Sequence, residues 1–275
     1  DLWLVERIMI SFNHIGNLGR IANQMFQYAS LKGIAKNRGY EFCIPPEQVF
    51  GQKDPLVKED LFNIYRIFNL DKKNTVQVCE NPVLMETTHE FDEKLFDNCP
   101  DNIDLFGYYQ SPKYFQHIQN EIRDDFTFSK EVQNSCKEVF DDVVECEDPI
   151  SLHIRRTDYL VNPNHPVQPL EYYKEALSKL DKNKTVIIFS DDAEWCQQQE
   201  MFSDDRFVIS QDSDADFDLC LMSMCTNHII ANSSFSWWGA WLGRSEKIIA
   251  PKNWFSDSCA DKSVKDMVFS NWTWL

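Results

Sequence analysis

Apolar and polar positions along the chain follow two rhythms, and the switches between them outline the elements. A short apolar run at residues 8–12 reads as a strand, and a Gly/Asn-rich turn follows it (His14, Gly16, Asn17, Gly19). From about residue 20 to 37, Ile21, Met25, Tyr28 and Ala29 recur at helical spacing and form one apolar face. Residues 40–44 read as the next strand. From 45 to about 128 the pattern is poor, with acidic loops and short aromatic segments, and it supports no definite element.

The second half is more regular. Strands are expected at 149–154, 185–189, 207–209, 228–231 and 247–250, and helices at 170–180, 193–200, 215–225 and 235–242. Strands alternating with helices at this spacing predict a parallel, doubly wound sheet. The acidic stretch 141–148 is the linker candidate. At 275 residues the chain exceeds what one core usually organises. We therefore expect two α/β domains, 1–145 and 146–275, with a cleft between them. Ligands in such sheets sit at the carboxyl ends of the strands, which is where chemistry is expected.

Composition narrows the function classes. The chain is 43% hydrophobic, 26% charged and 13% aromatic, an ordinary globular make-up that argues against disorder. A net charge of −17 repels phosphate backbones and anionic lipid, so neither nucleic acid nor a membrane surface is expected as a partner. Any site for a multiply charged anionic ligand must then carry its own local positive charge. The nine cysteines are odd in number and form no CxxC, which suits reduced thiols in a cytoplasmic protein. No apolar run reaches the ~20 residues that span a bilayer. Residues 1–12 are too short and too charged for a signal peptide, and Met9 is a candidate native start. The sequons at Asn183, Asn232 and Asn271 read as chance matches in such a chain.

Three segments carry candidate chemistry. The first is His153-Ile154-Arg155-Arg156-Thr157-Asp158, at the carboxyl end of the first strand of the second half. Arginine offers a planar fork of donors matched to phosphate oxygens. His153 and Arg155 share one face of a strand while Arg156 points to the other. One arginine is expected on a diphosphate and the other in a structural pair with Asp158; a surface ion-pair cluster is the alternative. The second is Asn232-Ser233-Ser234-Phe235-Ser236-Trp237-Trp238-Gly239-Ala240-Trp241, which joins a strand to a helix. Ser233 or Ser234 is placed to cap that helix, and free amides at a helix start attract phosphate. Trp238 and Trp241, spaced for one helix face, read as buried packing. The third is the turn Gly19-Arg20-Ile21-Ala22-Asn23-Gln24, whose glycine permits close backbone approach, but it lacks the full dinucleotide fingerprint.

Together these segments resemble one family, the α-1,2-fucosyltransferases of glycosyltransferase family 11. Gly19-Arg20-Ile21-Ala22-Asn23-Gln24-Met25-Phe26-Gln27-Tyr28-Ala29 looks like the family's GRLGNQMFQYA signature, with Ala22 where the family usually has glycine. The run from His153 to Asp158 matches its HxRRTD motif. Phe189-Ser190-Asp191-Asp192, with Trp195 and Cys196, is similar to FSDDxxWC. The Asn232 segment matches NSSFSWWGAWL, and Ala250-Pro251-Lys252-Asn253-Trp254-Phe255 resembles the terminal PKxWF. The matches span nearly the whole chain in the expected order.

The resemblance implies an α/β, GT-B-like fold: two Rossmann-like domains facing across a cleft, the first on the acceptor side and the second binding GDP-fucose. It implies inverting transfer of L-fucose to the 2-hydroxyl of a galactose-terminated glycan, with no metal and no cofactor. Arg155 would hold the β-phosphate, with Arg156 and Asp191 completing the donor-binding set. His153 and Asp218 would lie at the guanine, and Ser233, Ser234 and Phe235 would close on the diphosphate. Asn23 would face the reacting centre. Asp158 is the carboxylate nearest the donor motif, but orienting an arginine suits it better than acting as the base.

Two other readings remain open. Asp212-Ser213-Asp214-Ala215-Asp216-Phe217-Asp218 contains three overlapping DxD triplets, which in a metal-dependent GT-A transferase would hold a divalent cation. Acidic residues at a helix start are also what the helix dipole favours. A noncatalytic carbohydrate- or nucleotide-binding module would use the eight tryptophans for sugar stacking, but it would have no need of the arginine pair.

Overall fold

The computed structural model describes residues 8–46, 64–70, 78–143, 148–211, 214–243, 245–259, 262–267 and 269–275. They form two units, Asp1–Thr127 with Ser263–Met267, and Phe128–Lys262 with Val268–Leu275.

In the first unit the opening apolar run forms β1 (Met9–Ser11), and the turn leads into α1 (Ile21–Arg38). Gly39, in the left-handed region at φ 70°, ends that helix and turns its N–H back to the carbonyls of Ala35 and Lys36. The chain then forms β2 (Glu41–Cys43), parallel to β1. α1 carries a row of inward polar side chains among its apolar ones. Gln24 Oε1 accepts from the Ile64 amide (3.3 Å), Gln27 Nε2 donates to Gly107 O (2.9 Å), and Ser30 Oγ donates to Tyr109 O (2.9 Å). These bonds satisfy loop backbone that would otherwise be buried unpaired. Gly33 lets the helix approach another segment closely, since a Cβ there would lie 2.0 Å from Tyr114 O.

The region of poor pattern contains α2 (Ile64–Ile67), β3 (Val83–Met85), α3 (Glu93–Asn98), β4 (Asp104–Phe106) and α4 (Gln119–Asp125). Its stretches 47–63 and 71–77 lie outside the described residues. Three-residue strands are too short to show a period of two, and the first residue of β4 is a buried aspartate, so neither strand stood out in the hydrophobic pattern. The four strands form one parallel sheet in the order β2-β1-β4-β3.

The second unit begins with α5 (Lys130–Val143), which packs against a later helix, α8, and buries Cys136 with its thiol toward Phe217 O. That packing places the division between the units at Thr127/Phe128, ahead of the expected boundary at 145. Of the acidic linker candidate, 144–147 lie outside the described residues, Cys146 among them.

There follow β5 (Ile150–Ile154), α6 (Leu170–Ser178), β6 (Val186–Ser190), α7 (Ala193–Gln197), β7 (Phe207–Ile209), α8 (Ala215–Met224), β8 (Asn227–Ile229), α9 (Ser234–Leu242), β9 (Lys247–Ala250) and β10 (Thr273–Trp274). The strand β10, beside β9, is one more than the hydrophobic pattern revealed. All six strands are parallel, in the order β10-β9-β8-β5-β6-β7. Counted from β5, this is the 3-2-1-4-5-6 order of the Rossmann sheet, with its switch point between β5 and β8. The predicted doubly wound sheet is therefore present. Its core is Ile150, Leu152, Val186, Ile188 and Ile229 against Tyr173 of α6.

Helix α9 is apolar nearly all round. Trp237, Trp238 and Trp241 are buried, and Trp237 also meets the rings of Phe269 and Trp272. The tryptophans thus pack the core, as their helical spacing suggested. Among the described residues, no helix is long and apolar enough to cross a membrane.

Candidate active site

The register of the second sheet brings two of the motifs side by side. Ile154 of β5 is paired with Ser190 of β6, so the residues that follow, Arg155 to Thr157 and Asp191 to Asp192, leave the sheet as neighbours. Asp191 organises the turn. Its Oδ1 accepts from the Arg156 amide (2.8 Å), and its Oδ2 accepts from the Thr157 amide (3.2 Å) and the Thr157 hydroxyl. Arg155 Nη1 pairs with the same Oδ2 at 3.1 Å. Asp191 is thus engaged with the turn itself.

Asp192 caps α7 by accepting from the Trp195 amide (3.2 Å), while its other oxygen takes Arg156 Nε (3.0 Å). The Arg156 guanidinium lies 3.8 Å from the centre of the Trp195 ring, a desolvated cation–π contact. Arg156 is thereby fixed from two directions. Arg155 Nη2 meets Asp158 Oδ1 at 2.7 Å, so the arginine paired with Asp158 is Arg155 itself. Asp158 is 46% exposed and Arg155 only 17%. Both arginines are therefore matched by carboxylates, and the turn is not an uncompensated positive patch.

On the other side of the switch point, Asn232 and Ser233 follow β8. Asn232 Nδ2 donates to Pro166 O (3.0 Å) and Trp254 O (2.9 Å), and its own carbonyl accepts from the Tyr159 hydroxyl (3.1 Å). This ties the loop after Arg155 to the end of β8. Ser233 Oγ caps α9 by accepting from the Phe235 amide (3.3 Å). The two sides are joined directly, since His153 Nδ1 and Ser236 Oγ lie 2.9 Å apart. Burial, helped by the nearby Arg155 charge, pushes the His153 pKa down to about 3, so the ring is neutral at physiological pH. Phe235 packs its ring 5.8 Å from that of His153. Ser234 and Phe235, half-buried, form the first residues of α9.

Asp218 lies in the first turn of α8, which packs along α9, and its Oδ1 accepts from Ser210 Oγ (2.8 Å). Of the acidic run, Asp212 and Ser213 lie outside the described residues. Asp214 occupies the cap position of α8, with Asp216 and Asp218 in its first turn, where the helix dipole favours negative charge. Among the described residues, no group of three His, Cys, Asp or Glu side chains could hold a metal ion.

Asn23 belongs to the first unit. Its Oδ1 accepts from Gln110 Nε2 (2.5 Å). Gly19 has φ +75°, and a Cβ there would lie 1.8 Å from Asn23 Nδ2, so glycine is required beneath this side chain. Ala22, the departure from the family's glycine, is buried in the first turn of α1 with ordinary helical geometry and leaves the turn intact. Sequence reasoning missed Gln110 and Glu86. Glu86 accepts from the amides of Tyr108 (2.7 Å) and Tyr109 (2.9 Å), fixing the loop that carries Gln110. The available signal was Gln110 directly after Tyr108 and Tyr109, and Glu86 directly after the apolar run Val83-Leu84-Met85.

A Rossmann-ordered sheet with an arginine turn and a serine-capped helix flanking its switch point, together with a second parallel-sheet unit, defines an α/β fold of the GT-B-like class. The sequence profile of glycosyl transferase family 11 matches residues 5–275, and the chain belongs to that family. It is 30% identical to an alpha-1,2-colitosyltransferase of Escherichia coli, over 90% of this chain and 96% of the relative. It is 26% identical to galactoside alpha-(1,2)-fucosyltransferase 2 of Bos taurus, over 89% and 72%. Among solved structures, NodZ alpha-1,6-fucosyltransferase soaked with GDP-fucose superposes with a TM-score of 0.57 at 14% identity, covering 90% of this chain and 96% of NodZ. That likeness establishes the fold.

Proposed function

We propose that this protein is a galactoside α-1,2-L-fucosyltransferase that moves L-fucose from GDP-β-L-fucose to the 2-hydroxyl of a galactose-terminated glycan, with inversion and without a metal. Its relatives include an enzyme named for that linkage and acceptor, and the family match spans nearly the whole chain. The observation that carries the mechanism is the placement of Arg155 and the α9 N-terminus at the two sides of the sheet's switch point.

Departure of GDP builds negative charge on the β-phosphate, and fixed donors there stabilise the transition state more than the ground state. Arg155 supplies charge-assisted hydrogen bonds from nitrogens held in place by Asp191 and Asp158. The diphosphate displaces Asp158, the most exposed of the three carboxylates around the arginines. Asp158 thus orients Arg155 and is not the base. Arg156, immobilised on Trp195 and Asp192, keeps the turn rigid. Ser233, Ser234 and Phe235 bring the start of α9, where the helix dipole favours negative charge, to the diphosphate. His153 and Asp218 flank the guanine. The second unit binds the donor; the first unit, with Asn23, serves the acceptor side. The free thiols of Cys43, Cys99, Cys196 and Cys225 suit a cytoplasmic location.

The test is GDP release from GDP-fucose with lactose, run with and without EDTA and followed by linkage analysis. Turnover that survives EDTA and gives an α-1,2-fucoside is the expected result. Loss with EDTA moves the chemistry to the DxD run. GDP-colitose belongs in the same assay, because the donor sugar is where the relatives' names differ. Faster turnover with it overturns the fucose assignment. Glycan binding without turnover of either donor supports the noncatalytic reading.

A further inference from the structure

Just past the end of β1, the first unit holds two thiols against each other. Cys43 is the last residue of β2, and its carbonyl accepts from the Phe12 amide (3.2 Å). Cys79 lies shortly before β3, and its backbone is bracketed by Asn13. Asn13 Nδ2 donates to Cys79 O (2.7 Å), and Asn13 Oδ1 accepts from the Cys79 amide (3.3 Å). Two adjacent residues therefore fix both cysteine backbones, and the two Sγ atoms stand 2.9 Å apart. The Cys79 thiol also faces Met9 Sδ at 3.6 Å. Because β2 and β3 are the two edges of the four-stranded sheet, the pair links one edge strand to the chain that enters the other.

The two thiols are not equivalent. Cys43 is 3% exposed, whereas Cys79 is only half-buried. Burial first, then the hydrogen bond to Cys79 and the nearby Asp104 charge, hold the Cys43 thiol well above its ordinary range. Cys43 therefore does not begin a thiol exchange, which needs thiolate and access. Cys79 is the sulfur that meets an oxidant, and Cys43 is the one placed to resolve the adduct. At 2.9 Å the sulfurs have only a short approach left to a disulfide bond of about 2.05 Å. A pair kept solely for packing would be sheltered on both sides. Cys136 and Cys220 of the second unit are such a pair, hydrogen-bonded to each other and 0% and 3% exposed.

We propose that Cys43 and Cys79 form a reversible redox site, closed to an intramolecular disulfide by a low-molecular-weight disulfide such as glutathione disulfide. The chemistry belongs to the first unit alone and does not depend on the transfer reaction. The Cys79 sulfur attacks one sulfur of the small disulfide. That S–S bond breaks, and the leaving sulfur departs as a thiol carrying the Cys79 proton. The Cys43 sulfur then attacks the Cys79 sulfur of the mixed disulfide, and the second small thiol leaves with the Cys43 proton. Two cysteine thiols are oxidised, and one small disulfide is reduced to two thiols. Closure ties β2 to the chain leading into β3, and a reducing compartment keeps the site open.

The experiment incubates the folded full-length protein with excess glutathione disulfide and then blocks the remaining thiols with iodoacetamide in denaturant. Peptides are mapped by mass spectrometry with and without dithiothreitol before the block. The expected product in most chains is a Cys43–Cys79 linked peptide pair, two hydrogens lighter than the reduced form and reopened by dithiothreitol. Cys136 and Cys220 should be recovered alkylated. Cys43→Ser should stop at a glutathione adduct on Cys79, and Cys79→Ser should leave Cys43 reduced. The wild-type map decides even where a variant folds poorly. Recovery of Cys43 and Cys79 as alkylated thiols in most wild-type chains overturns the proposal. So does a glutathione adduct that persists on wild-type Cys79, or a link from either cysteine to a different thiol.

Discussion

Arg155 and Asp191 stand at the ends of two adjacent parallel strands, and the 3.1 Å contact between Nη1 and Oδ2 is one of four that Asp191 makes to the turn after β5. The carboxylate therefore does for this turn what a cap does for a helix. It satisfies successive amides while aiming a cation.

Asp191→Asn should damage the turn more than Asp158→Asn. In Asp191→Asn an NH2 replaces one acceptor oxygen and opposes either the Arg156 amide or the Thr157 amide, the Thr157 hydroxyl and the Arg155 guanidinium, which leaves donors unmatched and costs about 1 kcal/mol or more. Denaturant unfolding and GDP calorimetry are expected to show both lower stability and weaker binding. Asp158 is exposed and competes with phosphate for Arg155, so Asp158→Asn should bind GDP as well as or better than wild type and keep most of its kcat. A thousandfold loss of kcat in Asp158→Asn would instead make that residue the base.

Arg155→Lys keeps the charge but cannot hold Asp191 while also meeting phosphate in the same fork geometry, because a lysine presents a single ammonium. A loss of about a hundredfold to a thousandfold in kcat is expected, the range for removing one oriented donor at developing charge. Steady-state kinetics with GDP-fucose and lactose would decide it; a change under threefold would place the phosphate elsewhere.

Stability should fall below neutral pH. His153 and His228 are buried and hydrogen-bonded to Ser236 and Ser151, and burial holds both near pKa 3. Unfolded, each would titrate near 6.5 and bind the extra proton, so the contribution is whole above that pH and is lost as pH falls toward 3. The loss between pH 7 and pH 5 is about 2 kcal/mol per histidine. Urea unfolding at the two pH values measures it. His228→Asn should be less stable at pH 7 and show a correspondingly smaller pH dependence; an unchanged dependence would place the acid sensitivity elsewhere.

Gly19→Ala should be strained twice, by its positive φ and by the Asn23 side chain lying where the methyl would go. The left-handed backbone alone costs about 1–2 kcal/mol. Displacing Asn23 from Gln110 should also lower transfer activity without changing GDP affinity. Thermal unfolding and calorimetry on the same preparation separate the two effects.

The second unit is largely legible in the sequence, because its strands are continuous apolar runs and its helices carry a clear apolar face. The strand-end positions of Arg155 and Asn232 follow from that pattern. The first unit is not legible in this way. Its strands β3 and β4 are three residues long, and their pairing is fixed by contacts across the chain, such as Ser11 with Asp104. The tryptophans of α9 read as packing from their spacing, and their burial agrees.

By itself, the sequence determined the class of fold, the family, and which strand ends carry arginine, serine and aspartate, since these depend on local periodicity and on residue type. Only the tertiary structure decided the partners. It gave Asp158 to Arg155 and Asp192 to Arg156, and joined His153 to Ser236. The physical reason is that ion pairs and hydrogen bonds act over about 3 Å, and which groups come that close depends on sheet register and strand order, which neighbouring residues in the chain do not encode.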